Sequence, residues 1–116
     1  INLYLAACDV CWLPYLDSGA NRGRWPMKLN DYMAVGRPTV ATAVGDVATV
    51  MQQHPIGWLA EPNSRDIATV TARLLADARQ QATLGHNARR VAEHYFSWDK
   101  LSNQLFDFYQ RRLNVA

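Results

Sequence analysis

No apolar run in this 116-residue chain approaches the roughly 20 residues that a helix needs to cross a bilayer, so a membrane span is excluded. A surplus of one charge is missing as well: 12 Lys and Arg stand against 10 Asp and Glu, a formal net of +2. That balance is too even to indicate nucleic acid as a partner. Cysteine is scarce. Cys8 and Cys11 form a C-x-x-C, but no second pair and no nearby His cluster completes a zinc site. A redox C-x-x-C usually opens a helix, where the dipole lowers a thiol pKa. This one lies in Cys8–Leu13, CDVCWL, which reads as a strand, so two buried thiols in a reducing compartment are expected. His54, His86 and His94 share no ligand spacing and are expected at the surface or on helix flanks, so no metal site is expected. No charged leader with an apolar core follows Ile1, and a secretory signal is not visible. Internal repeats and low-complexity linkers are also lacking.

What is present is ordinary globular material. An apolar share of 49% is far too high for a disordered segment, and the length suits a single domain, 1–116. Ile1–Ala7 carries Leu3, Ala6 and Ala7 at helical spacing and reads as the last turns of a helix. Asp9–Leu13 is a short apolar strand closed by Pro14, and a polar loop, Tyr15–Trp25, follows it. Pro26 suits the first position of a helix, where its missing N–H is harmless. Leu29, Tyr32 and Met33 give that helix an apolar face, and Gly36 matches a left-handed stop. Pro38–Thr42 is β-branched or small throughout, the pattern of a strand covered on both faces. Gly45 marks a tight turn before a short helix over Val47–Gln53, and Ile56–Ala60 reads as a third strand. Asn63 and Asp66 form a weak capping box for a helix running to about Ala78. Leu84, Ala88, Val91 and Tyr95 mark another helix, interrupted by Gly85. Ser97 caps a last helix in which Leu101, Leu105, Phe108 and Tyr109 keep the 3.6 period. Its aromatics Phe106, Phe108 and Tyr109 are expected to pack a core or an interdomain seam. Strands alternating with helices indicate an α/β fold with a partial Rossmann-like parallel sheet of about three strands. So few strands leave an edge and apolar faces to be covered, and a fragment of a larger sheet is expected.

In an open parallel sheet, ligands sit beyond the carboxyl ends of the strands. Two loops leave such ends, 14–25 and 43–46. The first is basic: within Ser18–Arg37, Arg22, Arg24, Lys28 and Arg37 face only Asp31. It also feeds a helix N-terminus, whose free N–H groups favour phosphate. Arg22, Arg24 and Lys28 are therefore phosphate candidates, and Asp31, one turn beyond Lys28, can accept two hydrogen bonds from a sugar diol. A second reading of the same residues stays open. Lys28 and Asp31 at i, i+3 can be a plain surface ion pair, Arg22 and Arg24 solvated loop charges, and Gly45 only a turn.

The segment Asn21–Pro38, NRGRWPMKLNDYMAVGRP, followed by TVATAVGD, resembles the donor-binding segment of glycosyltransferases with the GT-B fold, of the family 4 or "group 1" type. Leu5–Pro14 (LAACDVCWLP), Gly57–Pro62 (GWLAEP) and the L-G-x-x-A-R-x-x-V and F-S-W elements of Leu84–Trp98 resemble that family's other landmarks, in its order and spacing. The resemblance implies the C-terminal portion of a nucleotide-sugar-binding lobe, with the acceptor held by an N-terminal lobe. It places Lys28 near the donor diphosphate, Asp31 at the donor ribose and Gly45 in the glycine loop under the phosphates. The family's first acid falls on Gly23, and Asp31 is one methylene shorter than the family's Glu. The implied activity is retaining transfer of a sugar from a nucleotide-diphosphate sugar to a glycan, lipid or small-molecule acceptor, with no cofactor beyond the donor. This stretch alone would be inactive. The implied setting is cytoplasmic, with peripheral membrane association of the full-length protein left open. A sugar-nucleotide epimerase of the same fold and a non-enzymatic α/β interaction module are the alternatives.

Overall fold

The computed structural model describes residues 1–113. Its elements are α1 (Asn2–Ala6), β1 (Cys11–Leu13), α2 (Gly19–Arg22), α3 (Met27–Ala34), β2 (Thr39–Thr42), α4 (Gly45–Gln53), β3 (Gly57–Ala60), α5 (Ser64–Leu75), α6 (Ala78–Tyr95) and α7 (Trp98–Leu113). The strands form one parallel sheet in the order β1-β2-β3, with Cys11 opposite Thr39 and Thr39 opposite Gly57. The fold class is therefore the one expected.

The centre of the sheet explains its sequence. All four residues of β2 are buried, as a parallel strand between two helix layers requires. Its side chains alternate between two cores. Ala41 joins Leu13, Leu29, Met33, Val47 and Ile56 on the face covered by α3 and α4. Val40 joins Ala60, Leu74 and Leu84 on the face covered by α5. α6 serves both: Leu84 belongs to the second core, whereas Ala88 and Val91 belong to the first. This helix runs antiparallel to α3, since Gly85 lies against Gly36 at one end and Phe96 stacks on Trp25 at the other, with ring centroids 5.0 Å apart.

Several local expectations change. Pro26 is the N-cap of α3, with extended backbone, so the helix begins one residue later. The 15–25 loop contains the short α2, capped by Ser18. α4 starts at Gly45 itself, and α5 stops at Leu75. Asn63 caps α5 through the Asp66 N–H, but the Asp66 carboxylate accepts from Glu61 N–H, so the capping box is not reciprocal. Gly85 does not interrupt α6. It is the smooth spot where the α3 turn seats, because a Cβ there would lie 2.3 Å from the Gly36 carbonyl oxygen. Gly36 itself has φ +68°, which is the left-handed stop that ends α3.

The cysteines differ from each other. Cys11, the first residue of β1, is buried, but Cys8 falls in the turn before the strand and is exposed. The strand begins late because Cys8 stays with α1, its thiol on the Tyr4 carbonyl. On α7 no residue is buried, and Phe106, Phe108 and Tyr109 are exposed on the chain's own surface, so they do not fill its core.

Two predictions follow from this packing. Gly85→Ala drives a methyl into backbone that cannot rotate away, and should destabilise the protein by about 1–3 kcal/mol in chemical denaturation. Gly19→Ala, where a Cβ meets nothing within 4 Å, is the matched control and should be neutral or slightly stabilising. In the second, burial and then the neighbouring Cys8 push the Cys11 thiol up to about 11. Only the thiolate is a nucleophile, so Cys11 should resist iodoacetamide near neutral pH and gain reactivity as pH rises toward that value. Mass spectrometry should find Cys8 alkylated first; equal rates at the two positions would contradict the buried site.

Candidate functional site

The carboxyl ends of β1 and β2 lie side by side, so the loops that leave them meet. The Thr42 hydroxyl donates to the Tyr15 carbonyl, which ties the end of β2 to the chain leaving β1. Gly45 rests against α2: a Cβ there would lie 2.8 Å from the Arg22 carbonyl oxygen, and its φ of +55° is left-handed. Only glycine satisfies both conditions without strain. Helices α3 and α4 both start from this junction.

Their N-termini are unlike those of the other long helices. Neither Pro26 nor Val44 supplies a side-chain cap to the helix it precedes. By contrast, Asn63, Asp77 and Ser97 cap α5, α6 and α7 through their side chains. The first backbone N–H groups of α3 and α4 are thus left for solvent or a ligand, and the helix dipole gives that place a partial positive charge. α4 carries Asp46 in its first turn, whereas α3 has no acid there. The amino end of α3 is accordingly the stronger place for an anion.

The sequence-selected residues divide into three settings. The Arg22 guanidinium forks onto the Asp17 carboxylate with bonds of 2.5 and 2.7 Å, and it is the Arg22 backbone that touches Gly45. The hydrogen bond from Arg22 holds Asp17 below the usual carboxylate range. Arg24 lies over the Tyr15 ring, 4.7 Å from its centroid. Lys28 is exposed in the first turn of α3 and pairs with no acid among the described residues; the i, i+3 ion pair with Asp31 does not form. Asp31, half-buried, turns to another flank of α3. There it lines a groove of about 590 Å³ with Trp25, Asn30, Phe96 and Trp98, a wall to which Lys28 does not contribute. The structure thus joins Gly45 to the α2 backbone and leaves Lys28 and Asp31 on adjoining but different flanks of one helix.

Trp25 and Tyr15, which sequence reading left aside, and Asp17, a partial stand-in for the family's first acid, shape this region. Trp25 donates its indole N–H to the Asn30 side-chain oxygen at 2.9 Å while stacking on Phe96, so it fixes the loop just ahead of α3. An aromatic directly before a helix-starting proline was the available signal. Tyr15 and Asp17 act as partners of Arg24 and Arg22, contacts that only the folded loop defines. Among the described residues no cluster of three or more metal-ligating side chains occurs, and no helix is long and apolar enough to cross a membrane.

Residues 1–77 match the sequence model of the family described as glycosyl transferases group 1. The D-inositol 3-phosphate glycosyltransferase of Salinispora arenicola is 38% identical over 77 residues, 66% of this chain and 17% of that protein. The MMP alpha-(1->4)-mannosyltransferase of Mycolicibacterium hassiacum is 30% identical over 111 residues, 94% of this chain and 26% of that protein. Among solved structures, sucrose-phosphate synthase from Thermosynechococcus elongatus superposes with a TM-score of 0.85 and 26% identity, covering 98% of this chain and 28% of that one. Anabaena HepE, solved in complex with UDP, has a TM-score of 0.73 at 22% identity, over 93% of this chain and 29% of that one, a likeness of fold. The chain spans less than a third of the length of each of these proteins.

The junction of the two loops makes its own prediction. Gly45→Ala forces a left-handed alanine and pushes a methyl at the Arg22 carbonyl, which should destabilise the protein by about 1–2 kcal/mol or more. Circular dichroism during denaturant titration of wild type and variant measures this. An unchanged midpoint would mean that the loops do not meet as described.

Proposed function

The chain belongs to the group 1 glycosyl transferases, and on that premise we propose that residues 1–116 form the C-terminal portion of the nucleotide-sugar-binding lobe of a retaining GT-B enzyme. The donor is a nucleotide-diphosphate sugar. The acceptor, a glycan, lipid or small molecule, is held by an N-terminal lobe outside this chain, and the present stretch alone does not turn over. No cofactor beyond the donor takes part, and the enzyme works in the cytoplasm.

One observation carries this reading: α3 and α4, which follow β1 and β2 at the carboxyl end of the sheet, are preceded by residues that offer no side-chain cap, whereas α5, which follows β3, is capped by Asn63. A diphosphate set against those N–H groups takes the place of the missing caps. Lys28, paired with no acid among the described residues, adds a full positive charge at the start of α3. Arg22 and Arg24 flank the same loop, though each already has a partner, Asp17 or Tyr15, that it would share or exchange. Gly45 lets the Arg22 backbone close against the start of α4, which brings the basic loop beside the α4 amides. Asp31 serves the ribose: one flank away from Lys28, it accepts from a diol while staying clear of the diphosphate that a carboxylate would repel. Its groove has the size of a small-molecule pocket and gives the rest of the donor an aromatic wall.

Catalysis in this reading is electrostatic. Negative charge grows on the leaving diphosphate as the glycosidic bond breaks, and fixed N–H dipoles and cations already aimed at that position lower the barrier without reorganising. The names of the relatives, an inositol-phosphate glycosyltransferase and a mannosyltransferase, are consistent with glycosyl transfer.

Calorimetric titration of the intact protein with UDP-, GDP- and ADP-sugars tests the proposal. Lys28→Ala should weaken diphosphate binding by about tenfold, the loss of one charge-assisted contact. Asp31→Asn should weaken nucleoside diphosphate more than pyrophosphate. Equal losses for the two ligands would remove Asp31 from the ribose, and unchanged affinity in the Lys28 variant would remove Lys28 from the diphosphate.

A further inference from the structure

A second cavity, of about 310 Å³, opens where the α4–β3 junction meets α6. His54 and Pro55 of the junction face Asn87, Arg90, His94 and Tyr95 of the helix across it. The groove beside Asp31 takes Arg89, Glu93 and Phe96 from the same helix. At 100° per residue these two sets lie on opposite flanks of α6, so the cavity and the groove are separate places. None of the donor-site candidates lines the cavity.

Charge is sorted between the two flanks. Asp31 and Glu93 both line the groove, and Glu93 occupies Arg89 there. Besides the apolar Pro55 and Val91, the cavity is lined by a guanidinium, two imidazoles, a carboxamide and a phenol, with no carboxylate. The Arg90 guanidinium makes no ion pair or hydrogen bond among the described residues, unlike Arg22 and Arg89. His94 holds its Nδ1 2.8 Å from the Arg90 carbonyl. A carbonyl oxygen can only accept, so Nδ1 carries the proton and Nε2 is the ring nitrogen left over for a ligand. Asn87 donates to the Pro55 carbonyl at 3.2 Å, which leaves its second amide hydrogen free. The His54 and Tyr95 rings, 5.0 Å apart and tilted by 40° to each other, close one side.

We propose that this cavity is an oxyanion site distinct from the donor site, taking inorganic phosphate or the phosphate group of a small phosphorylated metabolite. Arg90 provides the fixed charge and the fork of donors, the Asn87 amide adds a donor, His94 donates through Nε2 when its ring carries a proton on both nitrogens, and the ring wall receives the apolar body of an ester. About 310 Å³ is at the lower limit of small-molecule pockets and too little for a nucleotide sugar, which separates the ligand class from that of the donor.

The test is NMR of the histidine imidazoles in the intact protein, titrated with inorganic phosphate at constant ionic strength against a chloride control. His54 and His94 resonances should move along one saturating curve while His86, exposed and outside the cavity, stays put. Arg90→Gln should weaken the response by about tenfold; its exposed, unpartnered side chain makes it safe for folding. Lys28→Ala, which addresses the donor reading, should leave the response unchanged. A matching response to glycerol phosphate assigns an esterified phosphate, and a response to inorganic phosphate alone assigns the free ion. Non-saturating shifts, shifts shared by His86, or an unaltered response in the Arg90 variant would overturn the site.

Discussion

Burying a strand on both faces obliges a chain to do several things at once. β2 has no exposed residue, so helices must cover both sides of it, and parallel neighbours must be reached through crossovers. Each crossover helix then begins beside the carboxyl end of the strand before it. α3 and α4 therefore bring their amino ends to one rim of the sheet, and the partial positive charge there is a consequence of topology before any side chain is considered. Val40 and Ala41, pointing to opposite cores, are where this constraint is written most compactly.

α6 is the element that turns a sheet with helices into a body with distinct surfaces. It passes from the core shared with Leu74 to the core shared with Leu29 and Met33. That passage needs backbone in contact with backbone at Gly85 and Gly36, and the far end is held by the stacked rings of Trp25 and Phe96. Between those two fixed points the helix exposes two flanks of different chemistry, acidic and aromatic toward Asp31, basic toward His54. α7 continues beyond with no buried residue, its aromatic side chains on the surface of this chain.

Around the loop junction, proximity and availability are separate properties. Arg22 and Arg24 lie in the basic loop, yet one is forked onto Asp17 and the other lies over Tyr15. Such exposed contacts are weak, so a ligand of higher charge can compete for the same cations. Among the described residues Lys28 has no competitor to displace. The missing caps of α3 and α4 matter for the same reason, because a group that is already satisfied gains little from a ligand.

Patterns set by near neighbours were legible in the sequence: the three strands, the helix stripes, the glycine stop at Gly36 and the caps at Asn63 and Ser97 all depend on periodicity or on residues within one turn. The family resemblance was also legible, because its landmarks are runs of adjacent residues. Other features were not. Whether Gly85 breaks a helix or seats a turn depends on Gly36, 49 positions earlier in the chain. Which cation is free depends on where Asp17 and Tyr15 fall once the loop folds. That Lys28 and Asp31 face different surroundings depends on α6 and α7 packing beside one flank of α3. Apart from the short α2, the sequence by itself determined the elements and their order, since these arise from local sterics and hydrophobic spacing. The tertiary structure alone decided exposure, pairing and cavities, since these belong to the space between segments far apart along the chain.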